Sequence, residues 1–333
     1  MNMPLQQENA PLVSVVVPTC GRPTLLHRCL LALLRQRMPG NEYEIVVADD
    51  GHSEATQLLT QRLDNASPTG PRVRYVRSPA RRGGPAGARN AGWHAANAAV
   101  IAFTDDDTIA SREWLSAGLR ALQPGVTAVT GRTRVPLPPA PTDWQRNTAG
   151  LERGEFITAN CFVRREALQD IGGFDERYRR PWREDSDLHF AMLERGMQIV
   201  HAPHALVLHP ARDAPWGVSA KTQQNVYFDA LLFKKHSRLY RTRISSGPPL
   251  RYYFAVAALG VGAIGLIRGA PLLALGGGAA WLAWTLGFAA YRLRHTSRDP
   301  RHIAEMLYTS AVIPPLAVYW RIAGALRFKV AFA

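Results

Sequence analysis

The chain has 333 residues, of which 47% are hydrophobic and 20% charged; this balance excludes a disordered chain and suffices for one large core, alone or with a smaller appendage. The formal net charge is +14, which points to an anionic partner such as phosphate, nucleic acid or an anionic membrane surface, or else to a solvated basic surface. Its three cysteines, Cys20, Cys29 and Cys161, have neither metal-finger nor CxxC spacing, so no disulfide framework is expected and a reducing compartment fits.

The polar opening MNMPLQQENAPL lacks the basic and apolar regions of a signal peptide, so none is expected. Residues 13–19, VSVVVPT, form a strand with too little polar alternation for a one-sided sheet, so both its faces should be buried. Apolar residues at helical spacing follow over 24–36. Residues 44–49, EIVVAD, give the next strand, 54–63 a helix, and 72–77 a shorter, exposed strand. A helix over 87–97 and a strand over 99–104 complete the series. This βαβα order predicts a mostly parallel sheet covered by helices, in which ligands bind beyond the carboxyl ends of the strands. The acidic clusters fall there: Asp49 and Asp50 after one strand, Asp105, Asp106 and Asp107 after another.

Three adjacent carboxylates at the end of a buried strand repel one another. Asp105 and Asp107 are two apart, so in extended backbone they point to the same side. A shared hard divalent cation, Mg²⁺ or Mn²⁺, would remove the repulsion. An acidic turn before the helix that begins near Ser111 is the plainer alternative.

Past residue 245 the composition changes. Residues 252–267 carry no charge, Arg268 interrupts, and 270–290 are again uncharged. Each run approaches the ~20 residues that cross a bilayer. Lys234, Lys235, Arg238, Arg241, Arg243 and Arg251 precede them, and Arg292, Arg294, Arg298 and Arg301 follow. That asymmetry predicts a hairpin with both ends cytoplasmic; a pair of buried helices in a soluble domain is the alternative. The last segment, about 303–330, reads as an amphipathic interfacial helix or a broken span, with Pro314 and Pro315 as breakers. The expected division is thus 1–245 for the α/β domain and 246–333 for a membrane-associated helical region.

Five stretches in order resemble the family 2 glycosyltransferases of the GT-A fold: VSVVVPTCGRPTLLHRCLLALLRQ, EIVVADDGHSEAT, GPAGARNAGW, AFTDDD, and the run from ITANCFVRREALQDIGGFDE to REDSDLHFAMLERG. They span residues 11 to about 210. The resemblance implies a Rossmann-like, mixed sheet with flanking helices and a nucleotide-diphosphate sugar as donor. It places Pro18 and Thr19 against the nucleoside, and Asp49 and Asp50 on base and ribose. His52 and Ser53 follow Gly51 where the family usually has Ser directly after Gly. Arg89 falls beside the donor, near a helix N-terminus that favours phosphate, with Asp105 and Asp106 also on the donor side. Asp105 and Asp107 match the metal-binding DxD, with His209 completing the Mn²⁺ or Mg²⁺ site and His201 and His204 as nearby alternatives. Asp185 matches the catalytic base, Glu184 and Asp187 being its alternatives. Trp182 and Glu184 fall to the acceptor, with the 132–153 loop at its border.

The implied reaction is inverting transfer to the hydroxyl of a lipid-linked or cell-envelope glycan at the cytoplasmic face of the membrane. A nucleotidyltransferase would carry a glycine-rich basic loop after the first strand, whereas PTCGRPT holds one glycine. A non-catalytic, membrane-tethered binding protein would need no base. No nucleic-acid partner is expected, because the basic residues are scattered and no reading module is present.

Overall fold

The computed structural model describes residues 10–332; most of the stretch read as lacking a signal peptide lies outside them. Val13–Thr19 (β1), Tyr43–Asp49 (β2), Arg72–Arg77 (β3) and Val100–Phe103 (β4) pair in parallel, in the order β3-β2-β1-β4. Ile109–Ala110 (β5), Val126–Arg134 (β6), Cys161–Arg164 (β7) and Gln198–Leu208 (β8) continue the sheet as β7-β6-β8-β5. β7 enters antiparallel to both β4 and β6, while β6 and β8 run parallel, so the sheet is mixed.

The seven residues of β1 are all buried, as its unbroken apolar run predicts. Val13, Val15 and Val17 face one core with Leu26, Leu30 and Trp114; Val16 faces the other with Trp93, Ile101 and Phe103. Pro18 fits a central strand because of where the ladder ends. The Val16 carbonyl accepts from Thr104 on the β4 side. Pro18 faces the same side two residues on, past the last β4 pair, where a missing N–H costs no ladder bond. Thr19, facing β2, accepts from Asp50 N at 2.8 Å.

The helices flanking this sheet are Pro23–Leu33 (α1), Glu54–Asn65 (α2), Pro85–Ala95 (α3), Trp114–Ala121 (α4), Arg165–Ile171 (α6) and Glu184–Glu194 (α7); Asp143–Thr148 (α5) belongs to the chain's second compact unit. The chain divides into two compact units: residues up to 136 with 151–210, and 137–150 with 211–333. This division differs from the one expected at 245. Residues 211–245 fold as Val218–Lys221 (α8), Asp229–Lys235 (α9) and Ser237–Arg243 (α10), and α8 and α9 pack on the last helix. The 132–153 segment, expected as a loop, contains α5, closed by a capping box between Thr142 and Gln145.

In the second unit, Leu250–Ile267 (α11) and Pro271–Leu293 (α12) are long and apolar enough to cross a membrane. Their outer faces expose Leu266, Ile267, Leu272 and Leu275. They pack through small residues: a Cβ at Gly277 would collide with Gly262, and one at Gly265 with the Ala274 backbone. Pro300–Phe328 (α13) runs through Pro314 and Pro315 without the expected break. Ile313, Pro314, Ala317 and Val318 are buried there, and this packing holds the helix across two positions that lack an N–H donor.

Candidate active site

The carboxyl ends of β1, β2 and β4 lie side by side and carry Thr19, Asp49 and the Asp105–Asp107 turn. The three aspartates follow β4 in a turn and not in extended chain, with Thr108 N donating to Asp105 O at 3.2 Å. Thr108 Oγ1 (2.8 Å) and Cys29 Sγ (3.4 Å) donate to the same carbonyl. Pinned this way, the turn sends Asp106 inward and Asp105 and Asp107 together. Asp105 and Asp107 do share a side, though turn geometry and not strand alternation is the reason.

Asp106 is fully buried. It accepts from Thr19 Oγ1 at 2.6 Å and meets Arg22 at 2.8 Å. Burial pushes its carboxyl up to about 6, against the pull of Arg22 and Thr19. Arg22 also approaches Asp107, at 3.9 Å. This arginine of the PTCGRPT loop was missed by sequence reasoning; its signal is a lone cation in a loop leaving a buried strand.

His209 stands one residue past β8, held by its N–H to Arg134 O at 2.8 Å. Its Nε2 lies 3.5 Å from Asp107 Oδ1 and 4.0 Å from Asp105 Oδ2. One ligand atom from each of Asp105, Asp107 and His209 falls within 4.8 Å of the others, and among the described residues no other such group of three occurs. His201 and His204 are exposed and do not join it. Two carboxylate oxygens and one imidazole nitrogen are a donor set that fits Mn²⁺, with Mg²⁺ less suited to the nitrogen. His209 Nδ1 is buried without a partner.

Arg89, on α3, links this cluster to the next. Its Nη2 donates to Asp105 Oδ1 and its Nη1 to Glu184 Oε1, each at 2.9 Å. The side chains of Arg89 and Glu184 are 4% and 5% exposed. Burial works against the guanidinium charge, but Asp105 and Glu184 outweigh it and hold the group protonated, above its ordinary value. Glu184 opens α7, and burial pushes its carboxyl up to about 7, opposed by Arg89 and reinforced by Asp185. Burial also raises the half-buried Asp185 carboxyl, against hydrogen bonds from Ser186 N (2.6 Å) and Oγ (3.3 Å). Arg183 precedes α7 in the left-handed region, φ +75°, with its guanidinium 4.7 Å from the Trp182 ring; a non-glycine residue there is a strained backbone position. Asp187 turns inward, within 3.3 Å of the Tyr178 hydroxyl.

Asp49 and Asp50 are buried and serve the neighbouring loops. Asp49 accepts from Gly51 N, Ser53 N and Tyr75 Oη at 2.6–3.0 Å. Asp50 accepts from Ser78 Oγ, Gly83 N and Gly84 N at 2.8–3.2 Å. Gly84 adopts φ +109°, and a Cβ there would lie 2.7 Å from Arg179 Cα, so only glycine seats this loop at the head of α3. Asn90 fixes the same helix to the GGFDE loop by accepting from Phe174 N and donating to Phe174 O, both at 2.9 Å.

A curled mixed sheet with acidic strand ends and flanking helices is the GT-A glycosyltransferase architecture. The mannosyltransferase PcManGT of Pyrobaculum calidifontis matches it with a TM-score of 0.56 at 21% identity, over 96% of this chain and 87% of that one. Staphylococcus aureus TarS matches with 0.51 at 15% identity, over 94% and 55%. The chain belongs to glycosyl transferase family 2, whose profile matches residues 14–181. Glycosyltransferase AglE of Haloferax volcanii is 27% identical over 228 residues, 65% of this chain and 72% of that protein. The GalNAc(5)-diNAcBac-PP-undecaprenol beta-1,3-glucosyltransferase of Campylobacter jejuni is 32% identical over 112 residues, 34% of this chain and 33% of that protein. Validoxylamine A glucosyltransferase of Streptomyces hygroscopicus is 34% identical over 119 residues, and the chain spans 25% of its length.

Proposed function

We propose that the protein transfers a sugar, with inversion and with a divalent metal, from a nucleotide-diphosphate sugar to a hydroxyl of a lipid-linked or cell-envelope glycan. The observation that carries this reading is the convergence of Asp105, Asp107 and His209, joined through Arg89 to the acidic head of α7. Asp105, Asp107 and His209 would hold Mn²⁺ or Mg²⁺. A cation bound there would supply countercharge to the departing nucleoside diphosphate. Pro18, Thr19, Asp49 and Asp50 form the nucleoside side, and the hydrogen bonds of Thr19, Asp49 and Asp50 keep that wall rigid. Asp106 supports it through Thr19, and Arg89 fixes Asp105 on the donor side.

Asp185 removes the acceptor proton as the hydroxyl attacks the anomeric carbon opposite the leaving group, which inverts the centre. A carboxylate whose ionised form is disfavoured by burial is the stronger base near neutrality. Trp182 and Glu184 border the acceptor. Holding both reactants in line contributes several kcal/mol through orientation.

PcManGT is described in complex with GDP-Man and Mn²⁺, and the Campylobacter relative's name specifies an undecaprenol-linked glycan; both support the donor and acceptor classes. The two apolar helices with basic flanks support attachment to the cytoplasmic face of a membrane. The test is a screen of nucleotide sugars for Mn²⁺-dependent turnover by detergent-purified protein. Nucleoside diphosphate release is expected, and Asp107→Asn should remove this Mn²⁺-dependent turnover. Pyrophosphate release would instead identify a nucleotidyltransferase, and binding without turnover a tethered binding protein.

A further inference from the structure

We propose that a cavity at the head of α13, inside the second unit, binds a neutral sugar residue of the acceptor glycan; this rests on the glycan-acceptor reading above. The cavity measures about 310 Å³ and is lined by Asp143 and Trp144 of α5, Arg212 and Asp213, and His302 and Glu305 of α13. His302 is 6% exposed, and neither ring nitrogen makes a hydrogen bond within the protein. Its Nδ1 lies 3.8 Å from Glu305 Oε2, too far for one. A buried imidazole with both nitrogens unpaired is costly unless a ligand completes it.

The lining decides the ligand's class. A cation needs converging ligands, and the described residues offer three within reach of one another only at Asp105, Asp107 and His209. An anion would meet three carboxylates, Asp143, Asp213 and Glu305, against Arg212 as the single arginine or lysine of the lining. Arg292, the buried cation behind Asp143, is already engaged by it at 2.6 and 3.3 Å. An apolar ligand would leave the imidazole unpaired and take the lining carboxylates out of water. A polyol satisfies all of them. Its hydroxyls donate to carboxylates and both donate to and accept from an imidazole. Trp144 offers an apolar ring to the C–H face of a sugar; its N–H donates to Arg212 O at 3.0 Å, which fixes the indole. Glu305 Oε1 accepts from Gly217 N at 2.7 Å, which orients that carboxylate.

Saturation-transfer NMR on the intact detergent-purified protein tests this, with methyl glycosides of glucose, galactose and mannose as probes and inorganic phosphate as competitor. Transfer to at least one glycoside is expected, insensitive to phosphate and lost in His302→Leu. Asp213→Ala, at an exposed position that leaves folding intact, should weaken it by about threefold to tenfold. In the transfer assay His302→Leu should raise acceptor KM about tenfold, equivalent to about 1.4 kcal/mol, with kcat unchanged. No glycoside binding, binding that survives both substitutions, or displacement by phosphate overturns the inference. Turnover with neither substitution altering KM does so as well and leaves the transferase reading standing. Glycoside binding that depends on His302 in a protein without turnover upholds the cavity and removes the catalytic reading instead.

Discussion

Replacing Arg89 by methionine tests whether one guanidinium holds the two halves of the site together. Arg89 and Glu184 are almost completely buried and meet at 2.9 Å. Removing one member of such a pair strands the other charge, a loss of about 3–5 kcal/mol. Two features of the site place Arg89→Met at the lower end. Asp105 is 27% exposed and takes up water in place of its lost partner. Glu184, already pushed up to about 7 with Arg89 present, takes a proton at neutral pH once the cation is gone. A loss of about 3 kcal/mol corresponds to roughly 6–12 °C in the unfolding midpoint for a unit of this size. Adding Glu184→Gln removes the stranded carboxyl, so Arg89→Met/Glu184→Gln should recover at least half of the deficit. Differential scanning fluorimetry of detergent-purified protein at pH 7 measures both. An Arg89→Met midpoint within 2 °C of wild type, or a double variant no better than the single one, would refute the coupling.

Asp185→Asn should lower kcat by about 10²–10⁴-fold while leaving nucleotide-induced thermal stabilisation intact; single-turnover assays and melting curves separate the two effects. Glu44, buried near the amino end of β2, accepts from Ser14 Oγ, Asn97 N and Arg74 at 2.6–2.9 Å. Burial works to raise its carboxyl, but these bonds outweigh it and hold the value below the ordinary 4.5. A depressed value means a stabilisation present above pH 4.5 and lost as pH falls through the folded-state value, so Glu44→Gln should melt lower than wild type at pH 7, with the gap closing below pH 4.5. Gly277→Val should separate α11 from α12 and cost about 1–3 kcal/mol by overpacking, read as a lower midpoint in detergent.

The parallel half of the sheet was legible because β1, β2 and β4 are short apolar runs separated by helix-like segments. β1 and β2 are buried along their whole length, and nothing in their sequences competes with that reading. The mixed half, β7-β6-β8-β5, was not legible. β6, VTAVTGRTR, and β7, CFVR, are polar or very short. They become strands because β7 slots between β4 and β6, a pairing across many intervening residues that no local pattern announces.

The same distinction governs the site. Asp105 and Asp107 were found because they follow a strand whose end was readable, whereas His209 came only through the family resemblance. Arg89 was also found, but as a donor contact suggested by the glycine-rich loop before α3. Its partner Glu184 is 95 positions away, and only tertiary structure shows that one guanidinium spans both carboxylates. Arg22 was hidden for the converse reason: a single cation in a loop is ordinary until the adjacent buried Asp106 gives it a partner. Electrostatic pairing across a sheet therefore escapes local pattern even where every member of the pair stands in a readable motif. It follows that the pairs, more than the individual acids, are where substitution should reveal how the donor and acceptor sides of the site depend on one another.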